Sequence, residues 1–285
     1  MTIFELVRIA LDQLYAEGSG QYHSKLDATI IENIEYLKKS YKRLNDPARK
    51  PLDYKDPATR FAYVYKYVAA HGDYIVKLLE KLATKRAILD SDSVRVSCLG
   101  GGPGSDIVGV LKFLEEERDT KKPAQKLTCY ILDREPAWAD TWTEINDSLR
   151  TNVNVNFQPF NIANPDSWKH QRKFLQADLF TLVYFVSEVI ALDKAGMVAK
   201  SWGEIFDSAR TGALFLYIDN GHDDFTSYFD SQWKAAKLRL VVSGDNERWR
   251  LRDSEQASVL DDYRKKFGED PKIRSYLSYR VLRKT

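Results

Sequence analysis

Val94-Arg95-Val96-Ser97-Cys98-Leu99-Gly100-Gly101-Gly102-Pro103-Gly104-Ser105-Asp106 is the stretch that decides the fold. Its first six residues are β-branched and apolar at alternating positions, so they read as a strand. The glycine cluster that follows allows a tight turn and a close approach of backbone to a ligand. Ile107, Val110, Leu111 and Leu114 then repeat at helical spacing, with Ser105 or Asp106 placed to cap that helix. A strand, a glycine turn and the free N–H groups of a helix start make an anion- or nucleotide-binding corner.

Working outward, Leu127 to Leu132 reads as a second strand and ends on Asp133. A carboxylate at that edge, beside the glycine turn, suits a bidentate hold on ribose hydroxyls. Further units alternate regularly: a helix from Pro136 to Leu149, a strand from Val153 to Phe157, a short helix from Asp166 to Gln176, an apolar strand from Leu179 to Val186, a helix from Lys194 to Ala209 and a strand from Ala213 to Ile218. Such alternation predicts a doubly wound, Rossmann-like α/β fold with a mostly parallel sheet. Leu238 to Val242 and Tyr276 to Leu282 are strand-like and are expected to form the far edge of the sheet as an antiparallel hairpin.

Residues 1–90 have a different texture and are read as a helical cap, with 91–285 as the sheet domain. The first helix carries Ile3, Val7, Leu11 and Leu14 and is closed by Gly18 and Gly20. The second runs from about Asp27 and carries Ile30, Ile34, Leu37, Tyr41 and Leu44, stopping at Asn45-Asp46-Pro47. Asp56-Pro57 is a helix start, and two further helical stretches are expected to part near His71-Gly72.

The 285 residues carry a net charge of only +2, which excludes nothing. By segment the balance is +3 for residues 1–90, −7 for 91–233 and +6 for 234–285. An acidic sheet therefore lies between two basic ends. Lys38, Lys39, Lys42, Arg43, Arg49 and Lys50 cluster at one end; Arg248, Arg250, Arg252, Arg264, Lys265 and Lys266 cluster at the other. If they converge beside the ligand corner they suit a phosphate backbone; a solvated helix face is the plainer reading. Two cysteines, Cys98 and Cys129, sit in apolar strands and read as buried thiols in a reducing compartment. No basic leader and no apolar run of 18 residues is present, so a cytoplasmic or otherwise intracellular protein with no membrane partner is expected.

The stretch 94–285 resembles the class I S-adenosylmethionine-dependent methyltransferases. Gly100, Gly102 and Gly104 match the family's Gly-x-Gly-x-Gly motif, with Gly101 inside it, and Asp133 matches the acid that holds the cofactor's ribose. Tyr276 to Lys284 matches the family's inserted last strand. The resemblance implies S-adenosylmethionine as cofactor, with Asn161 near the adenine; Ser187, which follows the fourth strand, is also a cofactor-binding candidate. The chain departs from the pattern at Cys98, where the family usually has an acid, and lacks the Asn-Pro-Pro-Tyr motif of exocyclic amine methylation. The glycine motif and the helical extension are also similar to those of ribosomal-RNA base methyltransferases, which implies RNA as methyl acceptor.

Methyl transfer from a sulfonium is an in-line displacement, so the protein chiefly positions the acceptor and removes a proton. Glu188, after the fourth strand, and Asp219, after the fifth, are the candidate catalytic carboxylates; loop capping is the plainer reading of both. His222-Asp223-Asp224 is too poor a set of ligands to indicate a metal, and none is expected. Phe61, Tyr63, Tyr65, Tyr67 and Tyr74 are either core or cover for the cofactor, and Trp138 and Trp142 either flank the adenine or pack on the sheet. Three other functions fit the same motifs: a non-catalytic sensor or scaffold that binds the cofactor, a small-molecule methyltransferase, and a nicotinamide-dependent oxidoreductase. Against the last, Ser105 replaces the third glycine of the dinucleotide fingerprint.

Overall fold

The strand that begins the decisive stretch, β1 (Ser93–Leu99), is an interior strand, third from one edge of a seven-stranded sheet. A computed structural model describes residues 1–41, 53–82, 91–117, 126–148, 153–193 and 196–285. β1 pairs in parallel with β2 (Lys126–Asp133) on one side and β4 (Leu179–Val183) on the other. β3 (Val153–Pro159) and β5 (Leu214–Asn220) extend the parallel sheet outward. β7 (Arg274–Arg283) is inserted antiparallel between β5 and β6 (Arg239–Arg250), giving the order β3-β2-β1-β4-β5-β7-β6. The strand order reverses at β1, where a parallel sheet opens its ligand crevice beyond the carboxyl ends of the strands. β4 is buried at all five positions, as its continuous apolar sequence requires. Edge strand β6 carries register shifts between Leu240 and Val242 and between Gly244 and Glu247, irregularities that discourage edge-to-edge association.

The chain begins with α1 (Ile3–Tyr22), closed by a capping box in which Thr2 Oγ1 accepts from the Glu5 amide and Glu5 accepts from the Thr2 amide. α2 is Leu26–Tyr41. Asp56 caps α3 (Pro57–Tyr63) with Pro57 at the first helical position, as the sequence indicates. A π-helical turn over Val64–Val68 leads into α4 (Ala69–Glu80). α5 (Ser105–Glu117) follows the glycine turn and α6 (Trp138–Ser148) follows β2. α7 (Val186–Val189), α8 (Met197–Ser208), α9 (Asp223–Ala235) and α10 (Asp261–Phe267) complete the helices described.

Several boundaries differ from the sequence reading, each for a physical reason. Gly18 and Gly20 do not end α1; Gly18 instead makes room for Leu26, whose Cδ1 would lie 2.7 Å from a Cβ there. His71 and Gly72 lie inside α4. A Cβ on Gly109 would sit 2.4 Å from the Gly72 carbonyl oxygen, so this pair of glycines brings α4 and α5 together. The interruption falls earlier, at the π turn. The helix expected over Asp166–Gln176 is two separate 3₁₀ turns, Pro165–Ser167 and Lys173–Gln176, pinned by buried Trp168, Phe174 and Leu175. β4 stops at Val183 because Tyr184 takes a left-handed backbone, φ 56°. β6 runs on to Arg250 because β7 pairs with it along that length. The expected helix stop at Asn45-Asp46-Pro47 lies outside the described residues.

Helices α1 to α5 and α10 share one hydrophobic cluster with β1, β2 and β7, so the N-terminal helices bury their apolar stripe on the sheet itself. The opposite face is covered by α8 and α9, with Trp202, Phe206, Phe215, Tyr217 and Phe229 among its buried rings. Cys98 and Cys129 are buried free thiols. Among the described residues no helix is long and apolar enough to cross a membrane.

Candidate cofactor and acceptor site

The glycine turn folds back over the end of β2. The amides of Gly100 and Gly101 both donate to the Leu132 carbonyl, at 2.8 and 3.3 Å. Gly100, Gly102 and Gly104 have φ of 67°, 45° and 82°, a region L side chains rarely adopt. Space is equally restrictive: a Cβ on Gly100 would lie 2.2 Å from the Phe185 ring, one on Gly104 2.3 Å from Trp142, and one on Gly101 2.7 Å from Cys98 Cβ. At Gly102 the nearest atoms are 3.8 Å away and belong to Asp133 and Trp138, so this glycine faces the cleft.

Asp133 is fixed by two backbone donors, Gly102 N–H to Oδ2 and Glu135 N–H to Oδ1, each at 2.9 Å. Burial raises its carboxyl to about 6, and those donors oppose the rise. Gly100, Gly102, Pro103, Asp133 and Glu188 line one cleft with Tyr54, Tyr63, Trp138, Val183, Tyr184 and Phe185. The enclosed space is about 50 Å³, room for a water or two. Aromatic rings fill the rest: Trp138 has its centroid 5.0 Å from that of Tyr54 and 5.5 Å from that of Tyr63.

Not all candidates meet in this cleft. Glu188 lines it and accepts a hydrogen bond from the Tyr41 hydroxyl at 2.9 Å, so α2 reaches across to the acceptor side. Asp219 and Ser187 are fully buried beneath it. Asp219 Oδ2 accepts from the Ser187 amide at 2.8 Å and Oδ1 from the Asn220 amide at 2.8 Å, so this carboxylate ties the end of β5 to the turn after β4. Burial raises Asp219 to about 6 as well. Asn161 stands beyond β3, where its Oδ1 accepts from the Ala163 amide at 3.1 Å, away from the cleft's lining. Asp106 does not cap its helix: Oδ2 accepts from Thr181 Oγ1 at 2.5 Å and Oδ1 from Ser105 Oγ at 3.1 Å. His222 caps α9 through its Nδ1, which accepts from the Asp224 amide.

Residues without a sequence signal gather around Tyr184 at the cleft's wall. Tyr184, left-handed and bulky, is a backbone outlier of the kind that gathers at functional sites. His71 from α4 stacks on it, centroids 4.4 Å apart and planes at 17°. Lys272, just before β7, places its Nζ 5.2 Å from the Tyr184 centroid, 5.6 Å from that of Tyr67 and 3.5 Å from the Tyr184 hydroxyl.

The basic residues pair in part. Lys38 bonds Glu35 and Glu269, Arg264 bonds Asp261 and Asp270, and Lys266 bonds Tyr15 and Asp27. Lys42, Arg43, Arg49 and Lys50 lie outside the described residues. A separate groove of about 630 Å³ is lined by Lys77 and Lys81 of the cap with Arg248, Trp249, Arg250 and Arg252 of the tail, Glu80 and Asp253 being its acids.

A sequence profile of the family described as "Putative SAM-dependent methyltransferase" matches residues 56–210, more than half of the chain, and the chain belongs to this family. It is a class I S-adenosylmethionine-dependent methyltransferase in fold and cofactor. Among solved structures it is similar to an O-methyltransferase family protein from Burkholderia thailandensis, with 14% identity over 91% of this chain and 72% of that one and a TM-score of 0.54. It is also similar to a protein from Pyrococcus horikoshii described as "a putative RNA methyltransferase" (11% identity, 87% and 98% covered, TM-score 0.45) and to an arsenic(III) methyltransferase from Chlamydomonas reinhardtii (14%, 74% and 73%, 0.39). No curated protein matches the chain.

The polar lining suits the cofactor's ribose: Gly102 faces the cleft with no side chain, beside a buried carboxylate already oriented by two amides. S-adenosylmethionine supplies an electrophilic methyl group on a sulfonium.

Proposed function

We propose that this methyltransferase acts on RNA, gripping the phosphate backbone in the groove where cap and tail meet. The observation that carries the reading is the groove's composition: five cations and two acids, with Arg248 and Arg250 exposed on either side of Trp249. Arg252 is the structural member, ion-paired to Asp73 and Glu116. The groove adjoins the cleft through one shared wall. Trp249 packs against Tyr74 at 5.9 Å and lies opposite Ser275, whose Oγ is hydrogen-bonded to the hydroxyls of Tyr74 (2.9 Å) and Tyr184 (3.3 Å). A strand held at Arg248 and Arg250 therefore runs beside the wall that Tyr184 presents to the cofactor cleft.

Within the cleft, the turn of Gly100, Gly101, Gly102 and Gly104 and the carboxylate of Asp133 hold the cofactor, Asp133 accepting from ribose hydroxyls. Glu188 faces the acceptor. Asp219 and Ser187 fix the turn that presents Tyr184 to Glu188, and Asn161 shapes the loop beyond β3. Residues 1–90 serve as the cap that closes the cleft with Tyr54 and Tyr63 and supplies Lys77 and Lys81 to the groove.

The test is transfer of labelled methyl from S-adenosylmethionine to total RNA, total protein and a metabolite extract, with the Arg248→Glu/Arg250→Glu double variant beside the wild type. RNA labelling is expected, with RNA affinity in the variant weakened at all sequences and the salt dependence of binding reduced by about two phosphate contacts. Labelling confined to protein or metabolites overturns the reading.

A further inference from the structure

We propose that Tyr184 and Lys272 form the proton exit of the methyl transfer: the Tyr184 hydroxyl receives the acceptor's proton while passing its own to the neutral amine of Lys272. The proposal rests on the methyltransferase reading of the cleft and not on RNA being the acceptor.

Position is the first argument. Tyr184 lines the cleft directly after β4, next to Phe185 and four residues before Glu188. Its backbone is locked in the left-handed region by a hydrogen bond from its amide to the Ile218 carbonyl at 2.8 Å and by Ser187 Oγ, which donates to its carbonyl at 3.3 Å. A tyrosine held in so costly a conformation is oriented by its surroundings, and strain of this kind is kept where geometry serves function.

The surroundings of the amine are the second argument. Lys272 lies against the rings of Tyr67 and Tyr184, its Nζ donating to the Tyr184 hydroxyl at 3.5 Å while that hydroxyl donates to Ser275 Oγ at 3.3 Å. No carboxylate stands within ion-pairing distance of it among the described residues, unlike Lys38, Lys66 and Lys266 nearby, each of which has one. A largely buried ammonium without a counter-ion is unfavourable, and losing its proton relieves it. The groups that face it from the packed elements are Lys66 and Tyr67 of the π turn, His71 and Tyr74 of α4, Asp219 of β5 and Tyr184 itself. Burial and then Lys66 lower its pKa to about 8, against the pull of Asp219. His71 is kept neutral chiefly by burial and then by the charge of Lys272, and its Nε2 has no hydrogen-bond partner among the described residues. A cationic cofactor in the adjoining cleft adds like charge and favours neutral Lys272 further.

The chemistry balances without any further reactant. When an N–H or O–H acceptor takes the methyl group, the new bond to carbon forms from the acceptor's lone pair, and the carbon–sulfur bond breaks with its electron pair going to sulfur. The acceptor's surplus proton goes to the Tyr184 oxygen, the Tyr184 hydroxyl turns from Ser275 Oγ, to which it donates at 3.3 Å, and gives its own proton to the lone pair of neutral Lys272 Nζ, and solvent later removes it from the ammonium. Tyr184 is the catalytic residue in this scheme and Lys272 acts through it.

Two measurements test the relay. Competitive acetylation of the intact protein with trace acetic anhydride across pH, read by mass spectrometry, gives the ionisation of each lysine and needs no acceptor. Lys272 is expected to titrate near 8, well below the exposed lysines measured in the same digest. In single-turnover transfer of labelled methyl to total RNA, the wild-type rate is expected to climb with pH up to about 8 and then level. Lys272→Met and Lys272→Arg should lower it about 100-fold and abolish the climb, Arg failing because a guanidinium keeps its proton. Tyr184→Phe should do the same, while S-adenosylmethionine affinity by calorimetry stays within threefold in all three. Lys272 titrating with the exposed lysines, or either Lys272 variant retaining the wild-type rate and pH profile, overturns the relay. If the wild type leaves RNA unmethylated, the RNA reading falls and the acetylation result alone decides the relay.

Discussion

Replacing Asp133 by Asn separates what the carboxylate does for the fold from what it does for the cofactor, because the two effects have opposite signs. Burial raises the folded-state value from 3.8 to about 6. Between those values the unfolded chain loses its proton before the folded one does. This carboxyl's contribution to stability therefore falls as pH rises through the window, and the full penalty is present above about pH 6. From about pH 4.5 to about pH 7.5 the two-state proton balance gives a loss of about 2 kcal/mol, which Asn, having nothing to ionise, does not suffer. Asp106 and Asp219 titrate in the same direction but are present in both proteins, so they cancel in the difference. Denaturant unfolding without cofactor should thus show Asp133→Asn gaining about 2 kcal/mol on the wild type over that pH interval. Calorimetric titration at about pH 7.5 should show S-adenosylmethionine binding weakened roughly 10- to 150-fold, the worth of a hydrogen bond to a charged group. A pH slope identical in the two proteins would mean that Asp133 is solvated, and an unchanged affinity would mean that the cofactor does not use it.

Gly104→Ala should cost roughly 2–4 kcal/mol in denaturant unfolding, since it adds a Cβ 2.3 Å from Trp142 at φ 82°. An unchanged midpoint would show the turn to be pliable. Arg252→Met should cost about 3–5 kcal/mol by leaving the fully buried Asp73 without the guanidinium 2.6 Å away, and adding Asp73→Asn should restore most of it. Failure of the second change to rescue would place the loss in packing. Cys98→Asp should lower the melting temperature at about pH 7.5 and much less at about pH 4.5, where both it and Asp106 can carry protons; equal losses at the two pH values would contradict a charge origin.

What the sequence made legible was local. The glycine turn and Asp133 belong to one strand–turn–helix–strand unit, so a few consecutive residues define both. The groups in and beside the cleft come from Tyr41, Tyr54, His71, Tyr184 and Lys272, far apart in sequence and, the lysine excepted, of types equally at home in a core. The apolar run from Leu179 to Val186 hid the end of β4, because nothing in Val183-Tyr184-Phe185 announces a left-handed residue. Gly72 looked like a helix stop because a missing side chain also serves close helix packing, and its partner Gly109 lies 37 residues on. Charge runs concealed pairing: Lys38, Arg264 and Lys266 face carboxylates. The groove combines Arg248 and Arg250 with Lys77 and Lys81, which form no run.

The departure at Cys98 has a structural counterpart in the same three residues. Cys98 pairs in register with Thr181 across β1 and β4, and Thr181 Oγ1 donates to Asp106 in the first turn of α5. Burial and then Asp106 push the Cys98 thiol well above its usual range, so position 98 is a poor place for a second negative charge. Burial has already raised Asp106 to about 6, with Thr181 and Ser105 resisting that rise. An acid at 98 would compete for the same hydroxyl, and two carboxyls in one apolar site cannot both ionise. The chain thus carries its acid beneath the glycine turn on the helix rather than on the strand, and a small neutral thiol is what that placement leaves room for: a Cβ on Gly101 would already lie 2.7 Å from that of Cys98.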